Sequence, residues 1–96
     1  MDRKSIEALL RDYKVLKAIS MNDSMVKENR DIALNKVNNI ELALSALEPA
    51  ELEIINLKYF NNIKTKDIAI KLDVTEQNVS TKITKILHKI NRVISL

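Results

Sequence analysis

A chain of 96 residues suits one compact domain, or a small domain with a helical extension, and excludes a large multi-substrate enzyme. With no Gly, no Cys, no Trp, one Pro, one Phe and two Tyr, it lacks a disulfide framework, a thiolate nucleophile and the turn chemistry of a small sheet protein, so an all-α fold in the cytoplasm is expected. The net charge of +3 is unevenly spread: residues 1–57 hold eight Lys/Arg against ten Asp/Glu, and residues 58–96 hold eight against three, the distribution of a phosphate-facing module joined to a partner-facing one.

The start, Met1-Asp2-Arg3-Lys4, runs straight into an amphipathic pattern, with neither the apolar core of a signal peptide nor a run long enough to span a bilayer. From Ser5 to Ile19 the apolar residues Ile6, Leu9, Tyr13 and Leu16 recur at three- and four-residue steps, which predicts one helix. The polar cluster Ser20-Met21-Asn22-Asp23-Ser24 predicts a loop ending in an N-cap at Asp23 or Ser24, with Met21 and Met25 as packing residues beside it. Ala33, Val37, Ile40, Leu44 and Leu47 then predict a second helix over about Met25 to Leu47, with an early part weakened by Asn29 and Asn35. Residues 1–47 are thus expected to form a helical arm for oligomerisation or partner contact. Its stripes must pack on each other, on the rest of the chain or on a second copy.

Residues 48–96 are expected to form the second domain. Pro49 suits the first turn of a helix, where its missing N–H forfeits nothing, and Glu51 and Glu53 complement the dipole there. Leu52, Ile54, Ile55, Leu57, Tyr59 and Phe60 are too dense for one face and predict a central core helix, ended by Asn61-Asn62, a pair that tolerates a left-handed cap. Thr65 and Thr75 are expected to cap two successive helices. Ile68, Leu72, Val79 and Ile83 point inward, Ala69 sits where the helices cross, and Val74 closes the turn. Two helices joined in this way describe a helix-turn-helix.

Stepping about 100° per residue along the second of these helices, Val79, Ile83, Ile86 and Ile90 share a narrow arc. Gln77, Thr81, Thr84, Lys85 and His88 lie opposite it, with Asn78 and Lys82 on its flank. Gln and Asn make paired hydrogen bonds with adenine in the major groove, Lys bonds guanine, and Thr offers a methyl to thymine. Gln77, Asn78, Thr81, Lys82 and Lys85 are therefore the base-reading candidates. Lys64, Thr65, Lys66, Ser80 and Lys89 are better placed for phosphates, which set position without reading sequence. His88 stands alone, so it suggests no metal site, and the scattered carboxylates have neither paired spacing nor a nucleophile partner. No cofactor and no catalysis are expected.

The run from Leu47 to Ile90 resembles region 4 of sigma-70-type factors, the domain that reads the promoter −35 element. Leu47-Glu48-Pro49-Ala50-Glu51 stands where that family has Leu-Pro and an acidic residue, and Leu57-Lys58-Tyr59-Phe60 is similar to its Leu-Arg-Tyr-Phe run. Asp67-Ile68-Ala69, Leu72 and Val74-Thr75-Glu76-Gln77-Asn78-Val79 follow its Glu-Ile-Ala, Leu-Gly-Val-Ser and Thr-Val pattern, except that Asp73 replaces the usual turn glycine. Nothing upstream resembles region 2, which binds core polymerase and melts the promoter, so a complete sigma factor is not expected. A short helical arm before such a domain is similar to phage late transcription regulators of Gram-positive bacteria, the ArpU-like and RinA-like groups. The resemblance implies a sequence-specific regulator with double-stranded DNA as partner and RNA polymerase as a second partner, and the apolar stripes of the N-terminal helices leave open a homodimer through them. Two other readings stay open: a packaging protein of the terminase small subunit type, and a protein-interaction adaptor or partial sigma subunit.

Overall fold

The computed structural model of the chain describes residues 1–94, which form five helices and no strand. Helix α1 spans Arg3–Ser20 and starts where the Asp2 carboxylate accepts the Ser5 N–H at 2.8 Å. It buries Ile6 and Leu10 and half-buries Leu9, Tyr13 and Leu16, the stripe that its spacing predicts. Helix α2 spans Lys27–Ser45 and is unbroken despite its asparagines, burying Ala33, Val37, Ile40 and Ala43. Its start departs from expectation: Val26 precedes it, and no side chain caps it. The reason is local competition. Asn22 Oδ1 accepts both the Ser24 N–H and the Ser24 hydroxyl, at 3.0 and 2.7 Å, and Asp23 Oδ1 accepts from Arg30 Nη1 at 3.4 Å, so both expected capping side chains are engaged elsewhere. Met21 is exposed rather than packed.

Helix α3 spans Pro49–Ile55, with Pro49 in its first turn and a reciprocal cap between Glu48 and Glu51. It continues into a wider π turn, Asn56–Phe60, where an α-helix was expected to run to the asparagine pair. The Asn61 N–H and side-chain amide both donate to the Asn56 carbonyl, and Asn62 turns the chain with a left-handed φ of 55°. Helix α4 spans Thr65–Leu72 and helix α5 spans Glu76–Ile94.

Helix α5 touches all four other helices, which makes it the axis of the molecule, while α1 makes its most extensive contact with α2. Ile6 and Leu10 of α1 and Ile40 and Ala43 of α2 belong to the same buried cluster as Ile54, Ile55, Leu57, Tyr59, Ile68, Val79, Ile83, Ile86 and Ile90. Fully burying a large aliphatic side chain contributes about 1.5–3 kcal/mol, so this shared cluster dominates the stability. The core therefore crosses the expected boundary at residue 47. Polar contacts follow the same path: the Tyr13 hydroxyl donates to Glu41 at 2.8 Å, Lys14 Nζ donates to the Phe60 carbonyl, and the Tyr13 and Phe60 rings stand 5.3 Å apart. Among the described residues no helix is long and apolar enough to cross a membrane.

Candidate nucleic-acid interface

The geometry of the interface begins with the turn between α4 and α5. Asp73 adopts φ 55° and ψ 47°, its N–H donates to the Ile70 carbonyl, and the Val74 N–H reaches back to the Ala69 carbonyl at 3.0 Å. This is a Schellman closure at a residue type that tolerates the left-handed region without being glycine. Val74 closes the turn through its backbone, and its side chain stays exposed. Thr75 Oγ1 accepts the Asn78 N–H at 3.0 Å, so α5 starts on a side-chain cap. Thr65 makes no such cap for α4: Lys64 holds the cap position, its carbonyl accepts the Asp67 and Ile68 N–H groups, and Thr65 is the first helical residue.

Ala69 is buried, as the close approach of α4 and α5 requires, and Ile68 and Val79 are fully buried. On α5 the buried set is Val79, Ile83, Ile86, Leu87 and Ile90, all on one side. The other side is set by the same periodicity: Gln77, Asn78, Ser80, Thr81, Lys82, Lys85 and His88 are exposed. All five base-reading candidates thus share the outer surface of the first half of α5. Lys82 and Lys85 lie toward α3, where they border a cleft with Ala50, Glu51 and Ile54. Thr84 is half-buried and donates its hydroxyl to the Ser80 carbonyl.

The phosphate candidates divide. Lys64, Lys66 and Ser80 are exposed, and Thr65 is half-buried. Lys89 is set apart from them, because its Nζ donates to both carboxylate oxygens of Glu51 at 2.9 Å. That carboxylate also accepts the Glu48 N–H, and the Lys89 and Glu48 bonds together hold Glu51 below the usual carboxylate range. Lys89 thereby ties α5 to the start of α3. Exposed Asp67, Asp73 and Glu76 offset part of the lysine charge around the turn, so the positive surface is patchy rather than continuous.

The sequence gives no sign of one neighbour of this surface. Arg3, at the start of α1, donates from Nη1 to Thr84 Oγ1 at 3.1 Å. The two residues are 81 positions apart, a juxtaposition that neither spacing nor composition encodes. Among the described residues no group of three or more His, Cys, Asp or Glu side chains is arranged to hold a metal ion.

The chain matches the family model described as Sigma-70, region 4, over residues 38–90, more than half its length. The match begins inside α2, upstream of the expected boundary. No curated protein and no solved structure is significantly similar to the chain. A capped left-handed turn, a small residue at the helix crossing and an exposed polar arc on the second helix agree with that match. The chain belongs to the sigma-70 region 4 family, whose helix-turn-helix domains bind DNA.

Proposed function

We propose that this protein is a sequence-specific transcription regulator, phage or prophage encoded and acting in the cytoplasm, that lays the first half of α5 in the major groove of duplex DNA. The observation that carries the reading is the single exposed arc of Gln77, Asn78, Thr81, Lys82 and Lys85, set by the Thr75 cap and backed by buried Val79 and Ile83. Amides and ammonium groups in this arrangement suit base edges, and Lys64, Thr65, Lys66 and Ser80 suit the flanking phosphates. Exposed apolar side chains on the α1–α2 hairpin, among them Val15, Met21, Val26, Ile32 and Leu42, support placing a protein partner there, RNA polymerase or a second copy.

Selection of bound sequences from a random duplex pool tests the proposal. An enriched motif is expected, and Gln77→Ala or Lys85→Ala then costs about 1–3 kcal/mol at the selected site with a smaller effect on random DNA. Lys66→Ala is expected to weaken both duplexes alike and to reduce the salt dependence by about one phosphate contact. Equal losses on both duplexes for Gln77→Ala would take that residue out of the base-reading set. Enrichment accompanied by a large closed ring in solution would favour DNA packaging, and absence of duplex binding would favour an adaptor.

A further inference from the structure

Tyr59 lies in the core and donates its hydroxyl to Glu7 Oε2 at 2.7 Å. The other Glu7 oxygen stands 3.6 Å from Arg3 Nε, and Arg3 Nη1 reaches Thr84 on α5. The relay Tyr59–Glu7–Arg3–Thr84 joins the π turn, α1 and α5. It fixes a guanidinium whose side chain is still 53% exposed. At about 100° per residue, Thr84 is next to Gln77, Thr81 and His88 around α5, so Arg3 is held at the rim of the polar arc, toward the second half of the helix. Met1, Arg3, Thr84 and His88 border one small cleft there.

Docking of α1 does not explain this arrangement, because buried Ile6 and Leu10 already hold the helix and an exposed ion pair adds little to them. A guanidinium has five donors in a planar fork that matches phosphate, and a side chain already held in place gives up less freedom on binding. Of the neighbouring carboxylates, Asp2 is engaged in capping α1, and Glu7 is shared between Tyr59 and Arg3.

We propose that Arg3 contacts a DNA phosphate flanking the groove that α5 enters, extending the interface onto α1, outside the residues matched by the family. The inference rests on the DNA-binding reading above. It assigns Arg3 a positioning role on the duplex, without base discrimination.

The test measures affinity against salt concentration for the full chain, on the selected duplex and on a random duplex of equal length. Arg3→Gln is expected to weaken both by a similar factor, about tenfold, the equivalent of one charge-assisted hydrogen bond. The magnitude of the log–log salt slope is expected to fall by about 0.9. Arg3→Lys retains the charge and is expected to retain the slope while losing part of the affinity. Lys27→Gln is the control, since Lys27 sits at the hairpin tip, one length of α1 or about 27 Å from Arg3, and is expected to change neither quantity. An unchanged slope in Arg3→Gln would overturn the inference even if thermal stability fell, as would a loss confined to the selected duplex. Wild-type protein that binds no duplex would overturn the DNA reading along with it, whereas intact wild-type binding with an unaffected Arg3→Gln removes this contact alone.

Discussion

Tyr59 shows how one polar atom in the core organises its surroundings. Its ring is buried, Arg11 stands 5.5 Å from the ring centroid, and its hydroxyl finds Glu7 on another helix. A buried hydroxyl without a partner is costly, so this bond fixes α1 in register on the π turn as well as stabilising it. Burial first, then the hydrogen bond to Glu7 and its negative charge, raise the phenol above the usual tyrosine range. The folded state therefore holds this proton more tightly than the unfolded chain does. Stability from this source is complete below about pH 9, where an unfolded tyrosine of pKa about 10 begins to ionise, and declines as the pH rises further. Tyr59→Phe is expected to cost about 1.5–3 kcal/mol near neutral pH, the range for a hydrogen bond to a charged group. The variant is also expected to lose less stability than wild type between about pH 9 and 11. Urea unfolding midpoints across that range check both expectations, and parallel curves for the two proteins would rule out the Tyr59 contribution.

The α4–turn–α5 unit was the most legible part of the sequence because its determinants are local. Thr75 caps the helix that follows it within three residues, Asp73 meets its own backbone requirement, and the Val79-Ile83-Ile86-Ile90 arc needs only the helical repeat. Where local signals competed, legibility failed. Asn22 captures Ser24 and Arg30 pairs with Asp23, so neither caps α2, and the Lys64 carbonyl meets the donors that Thr65 is expected to satisfy. The π turn at Asn56–Phe60 left no mark in a segment already apolar on several faces. Ala69 is the point where local pattern and packing meet. It is 5% exposed, and α4 and α5 pack closely around it, so extra methylenes there have no free volume to fill. Ala69→Leu is expected to destabilise the fold by about 1–3 kcal/mol through overpacking, with a weakening of DNA binding that follows the unfolded fraction. Thermal melting checks this, and an unchanged melting temperature would reject the crossing assignment.

Contacts between distant parts of the chain were the least legible, since amphipathic stripes announce that a helix must pack without naming its partner. The stripes of α1 and α2 left three partners open, and in the structure they pack on one another and on the C-terminal half of the same chain, where Ile6, Leu10, Ile40 and Ala43 complete the core around α5. The same packing brings Arg3 to Thr84, and the contact of α3 with α5 sets Lys89 on Glu51, two features of the site's border that no linear motif carried. A consequence is that the 38–90 family segment lacks part of its own core when separated from α1. Ile6 and Leu10 together contribute about 3–6 kcal/mol by burial, a large share of the roughly 5–15 kcal/mol that holds a small domain together. Residues 38–96 in isolation are therefore expected to melt at much lower temperature and with a broader transition than the full chain, which is expected to unfold in one cooperative step. Leu10→Ala in the full chain is expected to lose about 2–5 kcal/mol and to lower the melting temperature of the whole molecule. Circular dichroism melts and hydrogen exchange on α5 amides check both. If the isolated segment melted within a few degrees of the full chain, with α5 amides equally protected, the helix-turn-helix would stand as its own domain, and the division at residue 47 would describe the molecule better than a shared core.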